Sequence, residues 1–481
     1  MSGAAVLSRS PTYRQPLLVI GAVGLVSALL IGVAASLGVV PGLLALAAVP
    51  VALLVLRRPD LGAYLLIALV PVTSGFRRGL PVPALRLSEL LIAGVAVLIL
   101  LTADRERSRQ WRIFDWLALA YAGANLGLGL SQLLVRDEQL VPDVMGTLVS
   151  PFQYLLLYRA VMIALPEAAQ FRLALRLLLL GSVPVSLAAL LQYFDLLGVR
   201  GLIPTVTGTD IDKDFPWQEG ARATGTFPHW QVLGAYEFWI VLLGVAVLLE
   251  RRSLMRPWAV AAVLGLAVGA LFTTVTLTVI LAAVAGAIAL GVWYGRIDVV
   301  APALVIGGAV AVLAFGGAFE RRLDEQFDDQ GTQRPAWMPR TMEYRYRLWR
   351  DQYVPVVSGS RYLTGYGPDD PPNLTFAYTE SLYVTLVARG GIPLLLIYAA
   401  LTLALLAAAV RARDEREPSL RGAARVTAVG LVLLVPMHFV EPYFVFTGMA
   451  PLLWIAAAMT MRGRAARTPS LLTLPRPLPT H

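Results

Sequence analysis

A chain of 481 residues that is 57% apolar, only 15% charged and has a mean hydropathy of +0.68 is far from soluble composition, which lies near about 45–50% apolar and about 25% charged. Apolar runs of about 18 residues or more recur along almost the whole length, each able to cross a ~30 Å hydrocarbon core as a helix; this excludes a soluble enzyme, a β-barrel of alternating strands and a disordered scaffold. The chain has no cysteine and only three histidines (His229, His438 and His481), and its net charge of +9 is almost all arginine, Lys213 being the one lysine; disulfides, zinc–thiolate sites and iron–sulfur clusters are excluded, and the basic excess fits membrane orientation rather than nucleic-acid binding.

In chain order the apolar spans fall near 16–37, 39–56, 60–74, 87–103, 114–134, 145–164 and 177–195. They continue near 229–249, 257–273, 276–294, 298–318, 380–410, 426–445 and 447–461. Two of these segments are short and Pro151 and Pro184 interrupt others, so the expected fold is all-α, a polytopic membrane protein of about 12–14 transmembrane helices forming one integral membrane domain over 1–481. Arginine-rich connections alternate with arginine-poor ones: Arg57 and Arg58, Arg105 to Arg112, Arg251 to Arg256, Arg411 to Arg425 and Arg462 to Arg467 fall on one side. By the positive-inside rule that side is the cytoplasm, which puts both termini inside a cytoplasmic (inner) membrane. The first run, after Arg9 and Arg14, is too long for a signal-peptide core and is expected to be retained.

Two long connections break the pattern, an outer loop at 196–228 and a large outer loop at 319–379. Long connections without spans of their own are usually functional or disordered. The second contains tryptophan, tyrosine and a helix-like stretch at 340–354, and 334–361 carries six arginines against two acids. The chemistry is therefore expected on the outer face. If the stretch is helical, Arg340, Glu343, Arg347 and Arg350 share one face. It then serves either as an anion clamp, in which Arg345 and Arg347 grip phosphate oxygens bidentately, or as a surface helix that pairs Glu343 with Arg347 and lies on lipid headgroups.

After it come Arg361 and the turn Gly365-Tyr366-Gly367-Pro368, then Thr379, Glu380 and Tyr383 opening the next span. Thr379 is placed to cap that helix, with Glu380 in its first turn as either an ordinary helix-start acid or the base for an acceptor hydroxyl. In the other outer loop, Arg222 and His229 stand at the membrane entrance, His229 being a structural residue or a catalytic one. Arg77 and Arg78 form a third outer basic site whose simplest partner is lipid phosphate. Glu89, Glu237, Glu441, Arg159 and His438 lie in or beside spans and are expected to be paired between helices or to face a lumen.

Over roughly 60–460 these features resemble the O-antigen ligase/polymerase family of bacterial envelopes. The resemblance rests on the turn from Arg222 to Leu233, an Arg-x-x-x-Trp helix at Arg345 to Trp349, the Thr364-Gly-Tyr-Gly-Pro368 turn, and a glycine–proline break at Gly390 to Pro393. It departs from the family in having Glu380-Ser381 where a histidine is common and Thr276-Leu-Thr278 where a Ser-Arg pair often stands. The resemblance implies a metal-independent, cofactor-free inverting glycosyltransferase. Its donor would be a polyprenyl-diphosphate-linked oligosaccharide and its acceptor a lipid-linked glycan, with membrane lipids, a chain-length regulator and a flippase as partners and no nucleic acid. On this view Glu380, His229 and Arg345 carry the catalysis, and Arg222, Arg347, Arg361, Tyr366, Tyr383, Arg77 and Arg78 bind diphosphate and sugar. Polymerase activity is expected first, with ligation to a lipid-A core or another acceptor, lipid-linked oligosaccharide export, or single-sugar transfer as alternatives.

Overall fold

A computed structural model describes residues 39–79, 85–102, 110–137, 140–209, 222–250, 254–327, 335, 337–359, 361–368, 379–445 and 448–465. The expected span at 16–37, both termini, and the loop segments 210–221, 328–334 and 369–378 lie outside the described residues. The protein is an all-α polytopic membrane protein, and no strand occurs among the described residues. The helices are α1 (Val39–Arg57), α2 (Pro59–Thr73), α3 (Leu87–Thr102, with a π-turn at Ile92–Ala96), α4 (Ile113–Arg136) and α5 (Pro142–Ala164). There follow α6 (Gln170–Tyr193), α7 (Val199–Thr207), α8 (Trp230–Leu249), α9 (Pro257–Thr273), α10 (Leu277–Trp293) and α11 (Ile297–Phe327). The last group is α12 (Arg340–Leu348), α13 (Arg361–Thr364), α14 (Leu382–Ala412), α15 (Pro418–Met437) and α16 (Met449–Ala465).

Seven of these, α4, α5, α6, α8, α11, α14 and α15, are long and apolar enough to cross a membrane by length and composition. Shorter apolar helices occupy the other expected spans from residue 39 onward. Pro151 and Pro184 do not interrupt anything: α5 and α6 run through them. Membrane helices tolerate proline because neighbouring helices and hydroxyl side chains absorb the freed carbonyls.

The bundle is organised around α8, which is apolar on every side and buried along nearly its whole length. It packs against α9, α10 and α15, while α14 packs on α4 and α16 on α5. The single acidic or basic residue of α8, Glu237, accepts a hydrogen bond from Ser186 of α6 at 2.8 Å. At the other extreme, α11 exposes Val305, Ile306, Val310, Val312 and Leu313. An apolar face of that kind suits lipid rather than water.

Among the helix boundaries that differ from the sequence expectation, two matter for the site. α11 continues to Phe327 instead of stopping near 318, because no glycine or proline follows Gly317 and charge alone does not end a helix. Its 31 residues span about 46 Å, so the last turns project past a ~30 Å apolar layer. α15 sits about a span-end earlier than expected, starting at Pro418, whose fixed φ suits a first helical turn, and ending at Met437 before Glu441-Pro442.

Connections sort onto the two ends of the bundle. At one end, the Arg77 N–H bonds the Val206 carbonyl, Thr226 reaches the Val72 carbonyl, Ala223 N–H bonds Thr273, and Leu382 N–H bonds His438. At the other, Arg159 pairs with Asp115 at 2.9 Å, Arg172 with Glu417 at 2.9 Å, and Arg112 and Arg462 reach the Met461 and Pro166 carbonyls. The inter-helix pairing expected of Arg159 and of Glu89, which binds Arg78, is present.

Candidate functional site

The end that carries the two long connections gathers charge around one ion pair. Arg345 of α12 reaches Glu380 with a 2.7 Å contact from its Nη2, and both side chains are mostly buried. Three anchors hold α12 in place. Gln326 near the end of α11 accepts hydrogen bonds from the Thr341 hydroxyl at 2.6 Å and the Thr341 N–H at 3.3 Å. Leu348 is buried, and the Trp349 indole N–H donates to the Thr379 carbonyl at 2.7 Å, tying the helix to the residue before Glu380.

Glu380 does not lie in the first turn of α14, and Thr379 does not cap it. The helix begins at Leu382, whose N–H is met by the His438 carbonyl at 2.9 Å, while the Thr379 hydroxyl pairs with Thr385 and with the Ser381 carbonyl. Glu380 precedes the helix in a left-handed conformation, φ +48°, which a non-glycine residue adopts only where its surroundings impose it. Burial raises its pKa, and Arg345 and then Arg322 oppose that shift without cancelling it.

Arg322 comes from the projecting end of α11 and acts electrostatically on both Glu380 and Arg222. It also pairs with Glu325 at 2.6 Å. Arg222 lies 5.0 Å from the Trp230 ring centroid, and among the described residues its guanidinium has no hydrogen bond or ion pair. Burial, reinforced by Arg322 and opposed by Glu325, pulls its pKa down to about 9. Among the described residues the Nε of Arg345 is buried without a hydrogen-bond partner. Within them, the cluster thus holds guanidinium donors that are not saturated.

Behind this pair a polar chain leads to the histidine. The buried Glu441 accepts from the Gln231 amide at 2.6 Å, and Tyr443 feels both Glu441 and Arg345. His229 caps α8: its Nδ1 accepts the Gln231 N–H at 3.3 Å and its ring stacks on Trp230 at 3.8 Å. Burial and then Arg222 push its pKa down to about 3, so it is neutral at physiological pH. With Nδ1 accepting, the hydrogen is assigned to Nε2, which makes the ring a donor rather than a base.

The remaining expected site residues are drawn elsewhere. Arg347 pairs with Glu343 on an exposed face of α12, two positions from Arg345 and therefore turned away from it. Arg350 does not continue that face, because a π-turn at Trp349–Tyr353 shifts the register and Arg350 pairs with Asp351 at 2.6 Å. Tyr383 donates to the Val435 carbonyl at 2.8 Å and packs on Phe439. Arg78 is neutralised by Glu89 at 2.8 Å and Asp143 at 2.5 Å, and Arg77 is exposed beside Gly208. Tyr366 is buried under Arg136, 3.8 Å from its ring centroid, with Arg361 at 5.4 Å. It is a platform for two cations and not an open sugar shelf.

The Gly365–Pro368 turn and the break in α14 are two halves of one backbone joint. α14 leaves helical geometry at Gly390 and Gly391, which frees the Ala388 carbonyl to accept from Tyr366 N–H at 2.5 Å and Gly367 N–H at 3.1 Å. Gly365 and Gly391 both have positive φ, and a Cβ at either would sit 2.5–2.6 Å from main-chain atoms of the other segment. Gly391→Ala is therefore expected to cost about 1–3 kcal/mol, read as a lowered melting temperature in detergent. Gly127→Ala, at a helical glycine with open space around it, is expected to be neutral or stabilising by up to about 1 kcal/mol. Equal melting of the two variants would remove the joint from the account.

Sequence inspection missed Arg322, Gln231 and the central position of Glu441. An unbroken run from Phe319 to Phe327 was the available signal for Arg322; nothing local marked Gln231. Among the described residues no group of three or more His, Asp or Glu side chains is arranged to hold a metal ion. No protein-family model matches the chain, and no curated protein matches it.

Proposed function

We propose that the protein is a membrane glycosyltransferase of the O-antigen polymerase type. It would transfer oligosaccharide from a polyprenyl-diphosphate donor to a lipid-linked glycan acceptor at the outer face of the cytoplasmic membrane. The observation that carries the proposal is the meeting of Arg345 and Arg322 on one mostly buried carboxylate, Glu380, with Arg222 within electrostatic reach of Arg322, at the end of an apolar bundle.

The chemistry asks for few groups. The acceptor hydroxyl oxygen attacks the anomeric carbon while the bond from that carbon to the diphosphate oxygen breaks. The diphosphate leaves with the electron pair, and the hydroxyl proton passes to the Glu380 carboxylate. Because the attack comes opposite the leaving group, the anomeric centre inverts. Arginine donors offset the charge that develops on the leaving diphosphate. The base contributes less, because the leaving group departs readily without protonation. Orientation of two lipid-anchored substrates supplies the rest.

The test uses purified protein with a synthetic polyprenyl-diphosphate oligosaccharide. A ladder of products on a gel is the expected result. A single transfer to added lipid-A core would identify a ligase, and movement of the donor across proteoliposomes without any bond formation would identify a flippase and overturn the proposal.

Orientation follows from the arginine count. Ser358→Cys, beyond α12, is expected to react with an impermeant thiol reagent in intact cells, and Glu167→Cys, at the arginine-rich end, only after lysis. Both positions are exposed and the chain has no native cysteine to confuse the readout. The reverse pattern would place the Glu380 cluster in the cytoplasm.

A further inference from the structure

At the opposite end of the bundle from Glu380, a cavity of about 270 Å³ opens between the ends of α8, α10 and α14 and the start of α15, lined by Glu250, Tyr294, Arg296, Asp414, Arg421 and Arg425. Its wall is built by Arg421, which clamps both oxygens of Glu250 at 2.5 and 3.1 Å and donates to the Glu415 carbonyl at 2.9 Å. That arginine has little left to offer a ligand. The other two do. Arg425 donates Nε to the Arg413 carbonyl at 3.1 Å and rests 4.3 Å from the Tyr294 ring centroid, with Asp414 no nearer than 4.0 Å. Among the described residues the one carboxylate near Arg296 is Asp298, at 3.9 Å. Both separations exceed hydrogen-bond length, so among the described residues neither arginine is hydrogen-bonded to a carboxylate, and both line the cavity.

We propose that this cavity binds a phosphate anion, carried by the headgroup of an anionic phospholipid. Among the lining residues, three arginines against two carboxylates leave an excess of positive charge. Guanidinium groups match phosphate oxygens with paired donors. The location supports a lipid source over a soluble one. Trp293 and Tyr294 end α10 beside the cavity, and Trp258, on neighbouring α9, is strongly exposed, which is how aromatic side chains are set at headgroup depth. Basic pockets between transmembrane helices at an arginine-rich face bind anionic headgroups by the same physics. The bound lipid would bridge α10 and α15, which meet at this end through Arg425 against Trp293 and Tyr294.

The experiment is native mass spectrometry of the full-length protein with phosphatidylglycerol, phosphatidylcholine or inorganic phosphate added. Phosphatidylglycerol is expected to be retained preferentially, with retention falling as salt rises. Arg296→Gln is expected to weaken phosphatidylglycerol binding about fivefold, and Arg296→Gln with Arg425→Gln by more. Should the double variant fail to fold, Arg296→Gln, in a half-exposed turn, decides alone. Retention of phosphatidylcholine equal to phosphatidylglycerol, or undiminished binding by Arg296→Gln, overturns the site. Inorganic phosphate displacing phosphatidylglycerol at equal concentration overturns the lipid as its source.

Discussion

Glu380→Gln is expected to transfer oligosaccharide about 10²–10⁴-fold more slowly than the unsubstituted protein while binding the proposed lipid-linked donor normally. The amide keeps the shape of the side chain and an acceptor for Arg345, and it loses the negative charge and with it the ability to take a proton. A pH profile separates this outcome from structural damage. Burial raises the Glu380 pKa, and a protonated carboxyl is inactive as a base, so the rate climbs as pH rises through that pKa and then levels off. The acid limb is therefore expected above the usual carboxylate range near ~4.3. Arg345→Ala removes the largest influence holding the pKa down, so in any residual activity the limb moves to still higher pH. An acid limb unchanged in Glu380→Gln would exclude Glu380 as the base. The structure then offers Glu441 rather than His229, because His229 already spends Nδ1 on the cap of α8.

Arg222→Ala and Arg345→Ala are each expected to reduce kcat/KM by about 10²–10³-fold, the usual cost of removing one donor to a charge that develops in the transition state. Arg→Lys at either position is expected to recover little, since a point charge replaces a planar fork with two parallel donors. Arg347→Ala provides the contrast. Its guanidinium is spent on Glu343 at an exposed face, and exposed helix pairs contribute little, so near-normal transfer is expected. Normal transfer by both Arg222→Ala and Arg345→Ala, with protein levels unchanged, would move the anion site away from α12. The measurement is initial rate against donor concentration in the gel assay, which also reports whether product length changes.

The all-α membrane architecture was legible in the sequence because it depends on quantities that are local. A span needs only enough consecutive apolar residues to cover the hydrocarbon core, and each expected span from 39 onward coincides with a helix. The backbone joint was partly legible for the same reason: Gly365, Gly367, Gly390 and Gly391 announce positions where the chain needs room, although not that the two pairs meet each other.

What the tertiary structure alone decided is which charges face one another. Arg345 and Arg347 look equivalent in sequence, and a helical turn sends one to Glu380 and the other to Glu343. Arg78 reads as a free outer cation until Glu89 and Asp143, distant in the chain, close on it. Arg322 reads as part of a loop until α11 runs on past the apolar layer and delivers it beside Glu380. A hydrogen-bonded ion pair forms only when donor and acceptor lie within about 3 Å, and the sign of a charge's interaction reverses with its neighbour, so partner choice is set by side-chain placement to about that precision. Hydropathy averages over some twenty residues and carries no such information.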